Sequence, residues 1–225
     1  MTVIEIEVVF DFVCAWCYIG KRKLDKAITL FQKVYPGGRS DVFSIKWLPY
    51  YLDYNPHPYS VPKSELIDER LSDMTSEQRM TLFNRMNQIG RSVNIYFKGG
   101  GMIGSTRDAH RLVYLSRTKS SEVQNALVEK ILEAYHELEK DISSREVLTE
   151  LAVDAGLDSG EVRAWLDSGL AADVVDEEAR KNREEEGNSG VPRYVIQGVH
   201  RIVGTEDSSV FMEIFAKIKE GELQT

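Results

Sequence analysis

At 225 residues the chain is long enough to bury a sizeable core, and it suits one large domain or a domain carrying an insertion. A net charge of -8 and a pI near 5.2 argue against a nucleic-acid-binding surface. No run of about 18 apolar residues occurs, so no membrane span is expected.

Between Val3 and Phe10 apolar residues alternate with Glu5 and Glu7. This reads as a first strand over 3–10, not as a secretion signal, which would need a basic leader and a long apolar run. A soluble cytoplasmic protein is therefore expected, and there a pair of cysteines is more often catalytic than structural.

The strand runs directly into Cys14-Ala15-Trp16-Cys17, which holds the only two cysteines of the chain. From there the period changes: Cys17, Gly20, Leu24, Ala27, Ile28 and Phe31 recur at three and four residues, predicting a helix over 15–34 that Pro36-Gly37-Gly38 ends. Cys14 then lies at the helix N-terminus and Cys17 on its buried face. Free backbone N–H groups and the positive end of the helix dipole stabilise a thiolate at Cys14, and Lys21, Arg22 and Lys23 add positive charge nearby. Cys14 is expected to be the exposed, attacking thiol. Two thiols at this spacing support attack by Cys14 on a disulfide, followed by release of the mixed disulfide by Cys17. Structural zinc would need four ligands, whereas His57, His110, His136 and His200 are scattered, so no metal is expected. A structural disulfide closing so short a loop would gain little.

Val42 to Leu48 forms a second strand stopping at Pro49, and the helix between the two strands predicts a parallel pair. The connection Tyr50 to Tyr59 is rich in aromatic residues and proline; it could line a pocket or pack on the sheet edge. From Val61 to about Gly169 helix starts replace strand patterns. Capping signatures begin at Thr75, Ser121, Ser143 and Asp158, with an apolar stripe Leu82, Phe83, Met86, Ile89, Val93 after the first. Lys98 to Gly104 lacks the Gly-Lys-Ser/Thr ending of a phosphate loop and reads as a mobile turn between helices. A charged helix over 173–186 follows, then a hairpin of 191–197 with 199–203, then a last helix over 208–219. The order predicts an α/β domain built from 1–60 and 170–225, interrupted by an inserted helical domain at 61–169.

Four stretches carry a resemblance over nearly the whole length: Phe10 to Gly20, Thr106 to Leu112, Asp141-Ile142-Ser143 ahead of Val147-Leu148, and Ser189 to Ile196. On these the chain resembles the DsbA-like thioredoxin-fold proteins, in particular the FrnE-like cytoplasmic branch. That branch is related to 2-hydroxychromene-2-carboxylate isomerases and kappa-class glutathione transferases. The resemblance implies a thioredoxin fold with a large all-helical insertion. It implies Cys14 as nucleophile, Cys17 as resolving thiol and Val191-Pro192 as a cis-proline loop facing them; proline holds a cis bond at a cost of only about 0.5–1 kcal/mol. From the residues alone, Pro192 reads as an ordinary trans proline opening an edge strand. His110, beside Ala109 and Leu112, reads as a structural histidine. Many FrnE-like chains have proline where this one has Ala15, which alters local rigidity without removing either thiol.

Two functions follow. The first is a thiol-disulfide oxidoreductase acting on a disulfide-containing protein or small molecule. The alternative is a glutathione-dependent isomerase or transferase for a small unsaturated substrate. Retention of both Cys14 and Cys17 favours the first. Gly204-Thr205-Glu206-Asp207 resembles the stretch that holds a γ-glutamyl group in the related enzymes, which makes glutathione the expected co-substrate, with no tightly bound cofactor. Its sulfur is expected near Cys14, its backbone paired to Val191 and its γ-glutamyl end by Thr205 and Glu206, with Trp16 a further substrate- or glutathione-binding residue. Capping of the last helix by Thr205 and Asp207 is the plainer reading of the same residues. A homodimer is compatible with the resemblance.

Overall fold

The computed structural model of the protein describes residues 1–55, 57–185 and 190–222. Pro56 of the aromatic loop, Glu186 at the predicted end of the charged helix and Ser189 of the fourth matched stretch lie outside the described residues. Two compact units form, Met1–Tyr50 with Arg180–Thr225, and Tyr51–Ala179.

Strand β1 (Val3–Phe10) and helix α1 (Ala15–Val34) follow the predicted change of period. Ile4, Ile6 and Val8 are buried while Val3 and Glu5 are exposed. After α1 the chain turns at Gly37, whose φ of 71° is the left-handed conformation that glycine adopts without penalty. Strand β2 (Val42–Pro49) then pairs with β1 in parallel, from Val3 opposite Val42 to Phe10 opposite Pro49.

The second unit holds β3 (Val61–Pro62), α2 (Lys63–Arg70), α3 (Ser76–Arg91), β4 (Met102–Ile103), α4 (Arg107–Ser116), α5 (Ser121–His136), α6 (Arg145–Asp154), α7 (Ser159–Ser168) and the start of α8 (Ala172–Glu184). Strands β3 and β4 form a two-residue antiparallel pair that no sequence pattern signals. Helix α3 opens with the predicted reciprocal cap: the Thr75 hydroxyl accepts the Gln78 N–H, and the Gln78 side chain accepts the Thr75 N–H. Asp158 caps α7 as predicted, but α5 and α6 are capped by Ser120 and Ser144 instead of Ser121 and Ser143. The predicted apolar stripe of α3 is not a buried one, since Phe83 is exposed and only Gly90 of that helix is buried.

The glycine run lies between α3 and β4 and approaches the α5–α6 connection closely. Glu139 Oε1 accepts the Gly100 N–H at 2.9 Å, and the His136 carbonyl accepts the Lys98 N–H at 2.9 Å. Gly101 has φ 84°, and a β-carbon there would strike the Glu139 backbone. His110 is buried on α4, its ring 5.7 Å from that of Tyr51.

In the first unit β5 (Arg193–Ile196) and β6 (His200–Val203) form the predicted hairpin and α9 (Ser208–Glu222) closes the chain. The sheet order is β2-β1-β5-β6, with β5 antiparallel to β1. Helices α1 and α9 pack together on the sheet face that carries Phe43 and Tyr194. Phe31 of α1 and Phe215 of α9 both meet Phe43, at 6.2 and 4.9 Å. Buried aromatic pairs in such edge-to-face geometry add attraction beyond area burial. This packing fixes the angle at which α1 presents its N-terminus at the end of β1.

Candidate active site

Cys14 is the N-cap of α1, in extended conformation (φ -87°, ψ 110°). A turn from β1 delivers it, with the Cys14 N–H donating to the Asp11 carbonyl at 3.2 Å. The Cys14 carbonyl accepts the N–H of Cys17 at 3.0 Å, starting the helix. Its thiol donates to the Val191 carbonyl at 3.6 Å, and the Val191–Pro192 peptide is cis. The hairpin end anchors this loop, because the Pro192 carbonyl accepts the Gly204 N–H at 2.8 Å.

Both cysteines are free. Cys17 is 3% exposed as expected, but Cys14 is only 6% exposed, so it is not the exposed member of the pair. The Val191 carbonyl engages the Cys14 sulfur. Burial, then hydrogen bonding to Cys14 and the charge of that sulfur, push the Cys17 thiol well above its ordinary pKa. A main-chain hydrogen bond at the buried Asp11 opposes the rise, while the charge of its carboxylate adds to it more weakly.

Trp16 is half-buried on the first turn of α1, between the two cysteines in sequence. Thr205 lies elsewhere along the helix. Its carbonyl accepts from Lys23 Nζ at 3.3 Å, and Lys23 also pairs with Asp207 at 3.1 Å. Lys23 is nine residues beyond Cys14, about 13 Å along a helix axis. The Ser208 hydroxyl donates to the Lys23 carbonyl at 2.8 Å, and Glu206 is exposed. The structure thus brings Cys14, Cys17, Val191 and Pro192 together, with Trp16 on the flank, and sets Thr205 and Glu206 against the middle of α1. The basic residues expected to act on Cys14 have partners of their own. Lys21 bonds Asp25 at 2.8 Å and Arg22 bonds the Tyr18 hydroxyl at 3.0 Å.

Sequence reasoning missed Asp11, Gly20 and Tyr194. Asp11 stood in the quoted motif, and an acid between two buried phenylalanines at the end of a strand was a usable signal. Gly20 read as a helix-face residue, and Tyr194 lay within the predicted strand 191–197 without being singled out; nothing in the sequence says that they meet. In the structure a β-carbon added at Gly20 would run into the Tyr194 hydroxyl and come within 3.2 Å of Pro192 Cγ.

Among the described residues no group of three or more His, Cys, Asp or Glu side chains is placed to hold a metal ion, and no helix is long and apolar enough to cross a membrane. Two free thiols beside a cis-proline loop are groups able to exchange with a disulfide.

The DSBA-like thioredoxin domain matches residues 5–216 of the chain. Among solved structures, a probable DsbA oxidoreductase from Streptomyces coelicolor, SCO1869, is 24% identical with a TM-score of 0.79, covering 96% of this chain and 90% of that one. A 2-hydroxychromene-2-carboxylate isomerase is 12% identical with a TM-score of 0.68, covering 98% of each chain. The cytosolic disulfide reductase DsbM from Pseudomonas aeruginosa, solved with GSH, is 15% identical with a TM-score of 0.60, covering 98% of this chain and 100% of that one. These three likenesses are likenesses of fold. With a family domain that spans all but the first four and last nine residues, the chain belongs to the DSBA-like thioredoxin family.

Proposed function

We propose that the protein is a thiol-disulfide oxidoreductase in which Cys14 attacks a substrate disulfide and Cys17 resolves the mixed disulfide. The observation that carries this reading is the pair of free thiols at the head of α1, with the Cys14 sulfur 3.6 Å from the carbonyl of Val191. Loss of the Cys14 proton ends that bond and frees the Val191 carbonyl. An extended substrate segment can then pair with Val191 as an added strand, with Pro192 beside it and the Trp16 ring as apolar surface. In the first step the Cys14 thiolate bonds one substrate sulfur and the other leaves as thiolate. In the second, Cys17 bonds Cys14, the remaining substrate sulfur leaves with the electron pair, and the proton shed by Cys17 ends on it. The dithiol is oxidised and the substrate disulfide reduced; the reverse sequence oxidises a substrate dithiol.

Glutathione is the small co-substrate this reading favours, supported by the GSH-bound DsbM of similar fold. Its γ-glutamyl end is assigned to Thr205 and Glu206, where the exposed Glu206 carboxylate would meet the ammonium. A cytoplasmic site of action accords with this co-substrate. The isomerase reading has a fold likeness of its own, but it leaves Cys17 without a role.

Incubation with glutathione disulfide, followed by intact-mass measurement, separates the two. Dithiol exchange predicts an internal disulfide in the native protein, a lasting glutathione adduct in Cys17→Ser and none in Cys14→Ser. An isomerase of the related type would show neither internal disulfide nor trapped adduct.

A further inference from the structure

Tyr194 stands opposite Val8 in the β1–β5 ladder, two residues after the cis proline, with Phe211 of α9 meeting its ring edge-on at 5.0 Å. The residue is 1% exposed, and its enclosed hydroxyl has no hydrogen-bond partner among the described residues. A buried hydroxyl left in this way is destabilising, so phenylalanine would serve the core better. Gly20 makes room for it, since a β-carbon there would overlap the hydroxyl. Gly20 follows Cys17 by three residues, which puts both on one face of α1. Burial above all, and then any negative charge that arises on Cys17, Cys14 or Asp25, keep the phenol protonated and therefore a donor.

We propose that Tyr194 is a positioning residue for disulfide exchange, its hydroxyl donating a hydrogen bond to the Cys17 sulfur when that sulfur becomes a thiolate. The inference rests on the dithiol reading above. In the resting protein Cys17 is held as a thiol, so its negative charge arises only in the resolving step, and the hydroxyl gains this partner only then. As the Cys14–Cys17 bond forms, the bond between Cys14 and the substrate sulfur breaks, and that sulfur carries away the electron pair and accepts the proton from Cys17. The phenolic proton stays on Tyr194. The Asp11 carboxylate opposes the charge on Cys17 and Asp25 acts on the phenol from farther along α1, whereas Cys14, by then bonded to the substrate sulfur, carries no charge. The Asp11 main chain already hydrogen-bonds Cys17 in the sense that favours its charge, and the Tyr194 hydroxyl is a second neutral donor that joins it.

The test is stopped-flow reaction with Ellman's reagent in limiting amount, which releases coloured 5-thio-2-nitrobenzoate twice, first on modification of Cys14 and again on resolution by Cys17. Loss of one hydrogen bond to a charged sulfur predicts that Tyr194→Phe keeps the first release and slows the second by about tenfold. The pH midpoint of the second release should also move upward, an effect that altered packing alone would not produce. Phenylalanine retains the ring against Phe211, and Cys17→Ser in the same assay marks complete loss of the second release. A Tyr194→Phe protein that resolves at the native rate and midpoint overturns the proposal while leaving dithiol exchange standing. A native protein with no first release removes the dithiol reading, and this inference with it.

Discussion

Two buried polar clusters, one in each unit, are built on opposite principles. On α4 the Arg111 side chain is 2% exposed and its donors are committed: Asp108 at 2.6 Å, and the carbonyls of Trp165, Leu166 and Leu170 at 2.8, 3.3 and 3.0 Å. The Trp165 and Leu166 carbonyls belong to the last turn of α7 and Leu170 follows its Gly169 cap, an end at which a cation is favoured by the helix dipole. Around Cys17 the buried groups are less fully paired among the described residues: a thiol pushed up in pKa, a phenol hydroxyl with no hydrogen-bond partner, and a neighbouring sulfur at 3.6 Å from the Val191 carbonyl. A satisfied cluster fixes a structure, whereas an unsatisfied one keeps free energy available for a change of charge.

The largest expected effect is at the satisfied cluster. Arg111→Met should destabilise the protein by about 3 kcal/mol in urea unfolding, because Asp108 and three carbonyls lose their donor. This is the low end for breaking a buried pair, since Arg145 still donates to Asp108 at 3.0 Å. The rates of both thiol steps should not change, and a change in them would undo the contrast between the clusters.

Lys63 is an intermediate case, a buried ammonium with its Nζ donating to the Tyr135 carbonyl at 2.6 Å and lying 3.6 Å from the centre of the Tyr135 ring. Burial lowers its pKa from 10.5 to about 8, with Glu139 opposing. Below pH 8 the amine is protonated in both folded and unfolded chains and the penalty is constant. Between the two values the folded protein releases a proton that the unfolded chain keeps, so this contribution to stability rises with pH. Unfolding of the native protein relative to Lys63→Met should show a gain of about 2 kcal/mol across that window, allowing for partial screening by water.

The smallest effect sharpens the unsatisfied side. Gly20→Ala should gain helix propensity yet lose about 1 kcal/mol net, because the new β-carbon meets the Tyr194 hydroxyl. Adding Tyr194→Phe should recover most of the loss, and additive effects in the double-mutant cycle would show that the two residues do not share the space.

Where residue periodicity carried the information, the fold was legible. The switch from period two to three and four in a chain with one cysteine pair places Cys14 at the head of α1, and the bounds of β1 and α1 follow from it. The cap assignments missed by one residue, because Ser121 and Ser143 match the capping-box spacing to Gln124 and Glu146, yet the hydroxyls that accept the helix N–H groups are those of the adjacent Ser120 and Ser144, from Val123 and Val147. The glycine run could not be read as a tight contact, since its cause, the backbone at Glu139, is about forty residues away in sequence. Burial of Cys14 and the meeting of Gly20 with Tyr194 were hidden for the same reason. Each depends on how the proline loop lies against α1, and no local pattern encodes that.

The central claim is that Cys14 and Cys17 form one two-electron couple. Equilibration of the protein in glutathione buffers of stepped thiol-to-disulfide ratio, followed by acid quenching, alkylation and mass measurement, tests it most directly. The account predicts a single transition between dithiol and internal Cys14–Cys17 disulfide, with glutathione adducts only as a minor species. A protein that stays a dithiol at every ratio, or gathers stable adducts on one cysteine without closing the disulfide, would contradict it.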